Sequence, residues 1–599
     1  MISNGSGTTV AAAAAGAETR SACPITRTHQ RFLLRSLEFT QQYAPMYRCR
    51  MEAQYASALR AIQRIVREDP RYGSQAYVMN PRRVLELQPG VPAVCVGIVY
   101  KNMKLLPRFL DEYQSELVRI DAGDDDNDDE SGVVEAVPLD RSAETAAATM
   151  HRSNEAEEDA NNDGQALAAA DEHYSVCDSA DELMLEDSSG RALLQGLDAE
   201  RFCTGIVLGV YGALLPNGSM KVLRYAFSGD LGSAFVPRPV IRATGPCYIA
   251  FVSGLSLNVP RDNSKEEQAA ASRARASLEL LVEFLCGNTG NAALRGKAKC
   301  VSRLVIGGDS IAPTDELKLK KKVKLDPSDH VRLNDDKAQG NTVTSAALMR
   351  QLDTLLERVV RTVEVELMPG ANDMSDAFQP QQPLHPLLLP KAGKHSTLRL
   401  VSNPFCFTAQ PGAATVATTE LLKSEECVES EAKKHKAEVA EGVNFFVTSG
   451  QNINDVARES RFPTRLDTMC MVVVSGCACP TAPNTLFSYP FCNHDPFLFQ
   501  NTPHCVVACD QPQFETRYAT LDELHEETHH NFTESASSSP RLKATASAVS
   551  AKGDENKAVL PEAGVRLICV PSFARSGALV LVDVNSPTLE TSVVSFLVP

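Results

Sequence analysis

VIGGDSIA, residues Val305–Ala312, is the stretch on which the reading of this 599-residue chain turns. A β-branched apolar run stops at two glycines, and an aspartate follows at once. Glycines after a strand allow a tight reversal of the backbone and leave the next side chain at the strand's end. The pattern recurs at Phe251–Ser256 (FVSGLS), Leu367–Ser375 (LMPGANDMS) and Val447–Asp455 (VTSGQNIND). Strand ends converging on polar turns are where a layered α/β sheet holds a pair of divalent ions. Such a centre needs carboxylates, imidazoles and an amide. The positions that would supply them carry Gly254, Ser256, Ala371 and Ser449. The expectation is a metal-site scaffold that has lost its ligands.

Outward from these strings, apolar segments alternate with helical ones. Tyr248–Val252, Leu304–Ile306, Val363–Leu367, Leu398–Val401 and Asn444–Thr448 read as strands. Arg275–Leu285 and the stripe Leu348, Leu352, Leu355, Val359 read as helices. This alternation indicates an α/β sandwich with helices packed on sheets. Before it, Ala93–Tyr100, Thr204–Ala213 and Lys221–Phe227 form short strands with glycine kinks and a turn at Pro216–Gly218, which suits a small barrel of the OB type. A helical pattern spans Arg31–Arg67 and ends at Pro70. The implied layout is a disordered tail over 1–27, a helical segment over 28–82, a barrel domain over 83–246 and the α/β domain over 247–599.

The net charge of −16 is local. Residues 121–200 hold 24 Asp and Glu against three Arg, leaving the remainder close to neutral. A segment this acidic and polar cannot bury a core, so it reads as a disordered insertion within the barrel block. Further polar insertions fall near 313–343, 409–441 and 522–562. No apolar run approaches the ~18 residues that span a bilayer. The 17 cysteines are scattered, without a CxxC, which fits reduced buried thiols. Cys477/Cys479 and Cys505/Cys509 lack the second half of a zinc site.

Three further strings carry chemistry on paper. His525–His529 (HEETH) matches the HExxH zinc signature but stands in a polar insertion with no third ligand, so a solvated helix end is the reading. Lys318, Lys320, Lys321, Lys322 and Lys324 form a candidate nuclear-import run. Asp309 and Asp373 could pair as acid and base, but turn aspartates commonly cap local backbone. Tyr100, Tyr211 and Tyr225, the evident strand aromatics of the barrel, read as core rather than as a base-stacking platform.

The longest distinctive text is PTAPNTLFSYPFCNHDPFLF (Pro480–Phe499). With it stand QPQQPLHPLLLP (Gln379–Pro390), LRLVSNPF (Leu398–Phe405), FVTSGQNINDV (Phe446–Val456) and LELQPG (Leu85–Gly90). Together, in this order, they resemble the polymerase B-subunit family, in its DNA polymerase delta small-subunit branch. The resemblance runs from about residue 31 to the C-terminus, outside the insertions. It implies an OB fold joined to a calcineurin-like phosphoesterase domain that is active in archaeal relatives and inactive in eukaryotic ones. The active pattern D-x-H is met here by Gly254-Leu255-Ser256. G-D-x-x-D is met by Gly308-Asp309 with Ala312 last, and G-N-H-D by Gly370-Ala371-Asn372-Asp373. A later His is met by Ser449, and G-H-x-H by Cys509-Asp510-Gln511-Pro512. Asp309 alone survives among the core ligands.

The resemblance implies a non-catalytic nuclear subunit without cofactor or metal, serving DNA replication and repair synthesis. Its implied partners are the C-terminal metal-binding domain of the catalytic subunit, a third subunit and, indirectly, the sliding clamp, with weak or indirect DNA contact. The rivals are an active metal-dependent phosphodiesterase or 3'-5' nuclease, and the second subunit of another replicative polymerase.

Overall fold

The computed structural model describes residues 20–35, 39–72, 80–106, 175–229, 245–258, 265–313, 345–410, 442–527 and 563–598. Strands are numbered in chain order. A closed barrel is formed by β2 (Pro92–Asn102), β3 (Glu182–Glu186), β4 (Arg191–Gln195), β5 (Val207–Leu214) and β6 (Met220–Phe227), in the order β2-β3-β4-β6-β5. Closure leaves this sheet no open edge. Helix α1 (Ala44–Glu68) lies on it through Ala58, Ile62, Ile65 and Val66. Gly209 of β5 permits the contact, because a Cβ there would stand 2.7 Å from the Ala58 carbonyl oxygen.

Two six-stranded sheets follow. The first contains β7 (Tyr248–Val252), β8 (Val301–Gly307), β9 (Glu364–Met368), β10 (Leu398–Leu400), β16 (Ala578–Asp583) and β17 (Thr591–Ser595), ordered β10-β9-β8-β7-β16-β17. The second contains β1 (Ile25–Arg27), β11 (Phe405–Ala409), β12 (Val443–Thr448), β13 (Cys505–Gln511), β14 (Glu515–Thr520) and β15 (Gly564–Pro571), ordered β1-β11-β12-β13-β15-β14. Their facing sides share one apolar core, with Phe251, Val305 and Val580 from the first against Phe407, Phe445, Val507 and Ile568 from the second. Helices Lys265–Leu285 and Ser345–Val359 cover the outer side of the first sheet through Leu281, Phe284, Leu352 and Leu356. Helices Gln451–Glu459 and Arg465–Val474 cover the outer side of the second and share a continuous core with the barrel. The result is two sheets between two helical layers, with the inner strands buried on both faces and largely apolar, and the edge strands β1, β10, β14 and β17 more polar and more exposed.

Five sequence boundaries move. The expected insertion 121–200 contains β3 and β4, which close the barrel; Leu183, Leu185, Ala192 and Leu194 alternate inward despite the acidic neighbours. Residues 107–174 lie outside the described residues. The expected tail 1–27 includes an ordered strap, in which β1 pairs with β11 and the Arg20 guanidinium caps the carbonyls of Leu285 (2.6 Å), Ala298 (2.8 Å) and Val301 (3.0 Å). The first long helix begins at Ala44, with Pro45 in its opening turn, rather than at Arg31; proline's missing N–H is tolerated there. The insertions near 409 and 522 start later than expected, because Ala409 completes β11 and Leu524 is buried in the helix Leu521–Glu527. The lysine run Lys318–Lys324 and His529 lie outside the described residues.

Candidate functional site

The four strings quoted first are brought together. β7, β8 and β9 run parallel in one sheet, and β12 and β13 run parallel in the other. Their C-terminal ends carry Ser253–Ser256, Gly308–Ser310, Gly370–Asp373, Ser449 and Asp510, so the residues converge at one end of the sandwich. Crevices beyond the carboxyl ends of parallel strands are the usual ligand position of α/β sheets.

The loops touch backbone to backbone. The Gly254 N–H donates to the Gly308 carbonyl at 3.0 Å, and the Ser256 N–H donates to that of Asp309 at 3.0 Å. A Cβ on Gly308 would lie 2.8 Å from Gly370 Cα, and one on Gly370 would lie 2.3 Å from the Asp309 nitrogen. Three of the four non-glycine residues with left-handed φ among the described residues sit here: Ser256 (46°), Asp309 (53°) and Asp510 (49°). Each such conformation costs ~1–2 kcal/mol, and clustered strain of this kind marks functional architecture.

The two acids of the sequence pattern face each other's loops. Asp373 accepts the N–H groups of Ser310 (2.9 Å), Ile311 (3.3 Å) and Gly370 (2.9 Å). Asp309 accepts the Asn372 N–H at 2.8 Å. Burial pushes the Asp373 carboxyl up to about 6 against the opposing pull of these N–H groups. Asp510 donates its own N–H to Ser253 Oγ at 3.1 Å, and its carboxylate meets Arg575 at 3.7 Å. Ser449 lies in a buried amide network: its Oγ accepts from Asn403 Nδ2 at 2.7 Å, and Asn403 Nδ2 also reaches Gln381 Oε1 at 2.8 Å. Ala371 and Pro512 are exposed and carry no polar side-chain atom, and Asn372 is half-buried.

This donor set does not fit a two-metal centre. The Asp373 oxygens are occupied by N–H donors, whose positive ends a cation would have to displace, and the positions beside them hold no imidazole. Among the described residues no group of three or more His, Cys, Asp or Glu is placed to hold a metal ion. The cysteines of the pairs 477/479 and 505/509 are buried reduced thiols. Of the barrel tyrosines, Tyr211 is fully buried and Tyr225 packs edge-on against Phe202 and Phe227. Arg191 sits 5.0 Å over the Tyr100 ring.

Sequence reasoning did not assign Gln381, Asn403 or Arg575 a place in the site. Gln381 and Asn403 were visible only as letters in the QPQQP and SNPF strings. Their signal was a polar side chain flanked by proline between apolar runs, and only the fold shows what the amides bridge.

The comparisons agree with this architecture. Residues 42–225 match the family described as DNA polymerase delta subunit OB-fold domain, and residues 249–516 match the B-subunit family of DNA polymerases alpha and epsilon. A DNA polymerase delta small subunit of Oryza sativa subsp. japonica is 26% identical over 86% of this chain and 85% of its own length. One from Saccharomyces cerevisiae is 24% identical over 86% and 81%. DNA polymerase delta subunit 2 of Drosophila melanogaster is 26% identical over 72% and 77%. The chain belongs to the B-subunit family of DNA polymerases, in its delta small-subunit branch.

Proposed function

We propose that the chain is a non-catalytic accessory subunit of a DNA polymerase delta complex, acting in nuclear replication and repair synthesis. The relatives across most of its length bear the delta small-subunit name, which favours this branch over another replicative polymerase. In this reading the two-sheet sandwich is a calcineurin-like phosphoesterase fold without its chemistry. The vestigial ligand positions are Gly254, Ser256, Asp309, Ala371, Asn372, Asp373, Ser449, Asp510 and Pro512. The observation that carries it is the mutual engagement of Asp309 and Asp373 with backbone N–H groups, which leaves the strained loops in place and the carboxylates committed.

A large fold retained without chemistry serves by binding. The partners in this reading are the C-terminal metal-binding domain of the catalytic subunit and a third subunit that reaches the sliding clamp, with DNA contacted weakly or indirectly. Exposed Phe39 and Phe487 flank Phe378 and Tyr489 close to the candidate site, and exposed aromatics of this kind suit an interface core. The test is co-expression with the C-terminal domain of the catalytic subunit. Stoichiometric co-purification and a raised melting temperature are expected; a stable monomer that ignores that domain in a quantitative binding assay refutes the assignment.

A further inference from the structure

Glu459 ends the helix Gln451–Glu459 and is almost wholly buried where the barrel meets the sandwich. Its Oε2 accepts the N–H of Thr204, which shortly precedes the barrel strand β5, at 3.1 Å. Its Oε1 lies 2.6 Å from Thr485 Oγ, and that same oxygen lies 2.6 Å from Asp455 Oδ2. A hydroxyl has one proton and can donate to one acceptor at a time. Two 2.6 Å oxygen–oxygen contacts between one hydroxyl and two ionised carboxylates therefore lack a proton.

The neighbouring cations show which acid holds the missing one. Lys101 of β2 spends its three donors on Asp181 (3.3 Å), the Glu459 main-chain carbonyl (2.5 Å) and Cys177 Sγ (3.2 Å). Arg458 stands 3.9 Å from Asp455 and half exposed. Asp455 thus has a cation of its own, whereas the Glu459 carboxylate has no ion pair among the described residues. The remaining titratable groups that face it, Cys203 before β5 and Tyr47 of α1, are neutral near pH 7, since burial pushes both upward.

We propose that Glu459 is a proton-held latch between barrel and sandwich: its carboxyl donates to Thr485 Oγ, whose hydroxyl donates in turn to the Asp455 carboxylate. Burial first, and then the Asp455 charge, push the Glu459 carboxyl up to about 7, in keeping with this chain of donors. Loss of the proton leaves two carboxylates against one hydroxyl in a buried setting, and the junction loosens. The same helix begins beside Ser449, so the latch sets the seat of an element that enters the candidate site.

The sign follows from linkage. A carboxyl raised in the folded state contributes stability that is complete below about 4.5 and is lost as pH rises through about 7. Glu459→Gln reproduces the protonated arrangement, its Oε1 accepting from Thr204 and its Nε2 donating to Thr485. The full-length chain and this variant are to be unfolded by denaturant from pH 5 to pH 9. Between about pH 5 and 7 the wild-type unfolding constant should rise relative to the variant by up to about tenfold per unit. Parallel profiles overturn the proposal. Infrared spectra of protein labelled with 13C at glutamate carboxyls supply a second measurement that needs no variant. A protonated glutamate band at pH 6, absent at pH 9, is expected, and its absence at pH 6 overturns the latch.

Discussion

Arg50 and Asp495 meet at 2.6 Å with both side chains fully buried, where α1, the barrel and the Pro480–Phe499 segment come together. The guanidinium also donates to the carbonyls of Gly205 (3.1 Å), Pro480 (2.6 Å) and Ala482 (2.8 Å). One side chain of the first long helix thus holds elements drawn from both domains. Its planar fork is what reaches several acceptors at once; a lysine would not replace it.

Arg50→Met strands the Asp495 carboxylate and three carbonyls without their donor. Removal of one partner of a buried pair costs ~3–5 kcal/mol, and replacing both partners by apolar residues costs less. Denaturant midpoints should therefore fall further for Arg50→Met than for the double variant Arg50→Met/Asp495→Leu. The opposite order would show that the Phe497 N–H, which Asp495 accepts at 2.9 Å, is worth more than the stranded carboxylate costs.

Gly450 separates steric clash from backbone strain. It sits at φ 92°, and a Cβ there would stand 1.9 Å from the Cys509 carbonyl oxygen. Gly218 has a similar φ of 81° with nothing within 4 Å. Alanine at Gly218 should cost ~1 kcal/mol from strain alone, and alanine at Gly450 clearly more. Thermal melting of the two variants checks the order.

Asp373 should leave a signature in the pH dependence of stability. Its folded carboxyl, raised to about 6 from 3.8, holds an extra proton between those values. Stability from this group is complete below about 3.8 and declines as pH rises through about 6. Asp373→Asn should remove that slope, and it should lower stability by ~1–3 kcal/mol because its amide cannot accept the Gly370 N–H. A slope unchanged in the variant would assign the titration to another group.

Purified protein should cleave neither single-stranded DNA nor phosphodiesters with manganese or magnesium. Two-metal hydrolysis requires two ions held a few Å apart, and Ser256, Ala371, Ser449 and Pro512 cannot fix them. Manganese-dependent cleavage that disappears in Asp309→Ala would establish the rival enzymatic reading.

Two deletions locate the inner end of the acidic insertion. Removal of Asp124–Glu172, outside the described residues, should leave the melting temperature within a few degrees, since the length of the connection between two paired strands costs only ~0.6 kcal/mol per doubling. Extending the deletion to Glu186 removes β3, which pairs with both β2 and β4, and should open the barrel. Equal stability of the two proteins would show that β3 is dispensable.

The sandwich was legible because strands buried on both faces write themselves as unbroken apolar runs, as in Tyr248–Val252 and Leu304–Ile306. The turn strings were legible because glycine and aspartate punctuate strand ends. β3 and β4 were not, since the inward period of Leu183 and Leu185, and of Ala192 and Leu194, lasts only five residues in each strand, with Glu182, Glu186 and Arg191 flanking it. Composition averaged over eighty residues hid that period. Arg20 and Arg27 belong to an unremarkable N-terminal stretch, and only tertiary partners such as Leu285 and Glu366 give them a place. For the site, side-chain identity showed which turn residues carry neither carboxylate nor imidazole, but not that Asp373 binds the backbone of the loop bearing Asp309. That relation joins residues 63 positions apart.

The crossed engagement of Asp309 and Asp373 makes any gain of a metal centre at these loops a concerted change. A histidine placed at Ser256 or Ala371 would face carboxylates already committed to neighbouring amides, and would gain nothing alone. Freeing either carboxylate first would loosen two strained loops before any cation could hold them. The loop tips at Ala371 and Met374 are exposed while their roots are held, so surface can vary there on a fixed frame.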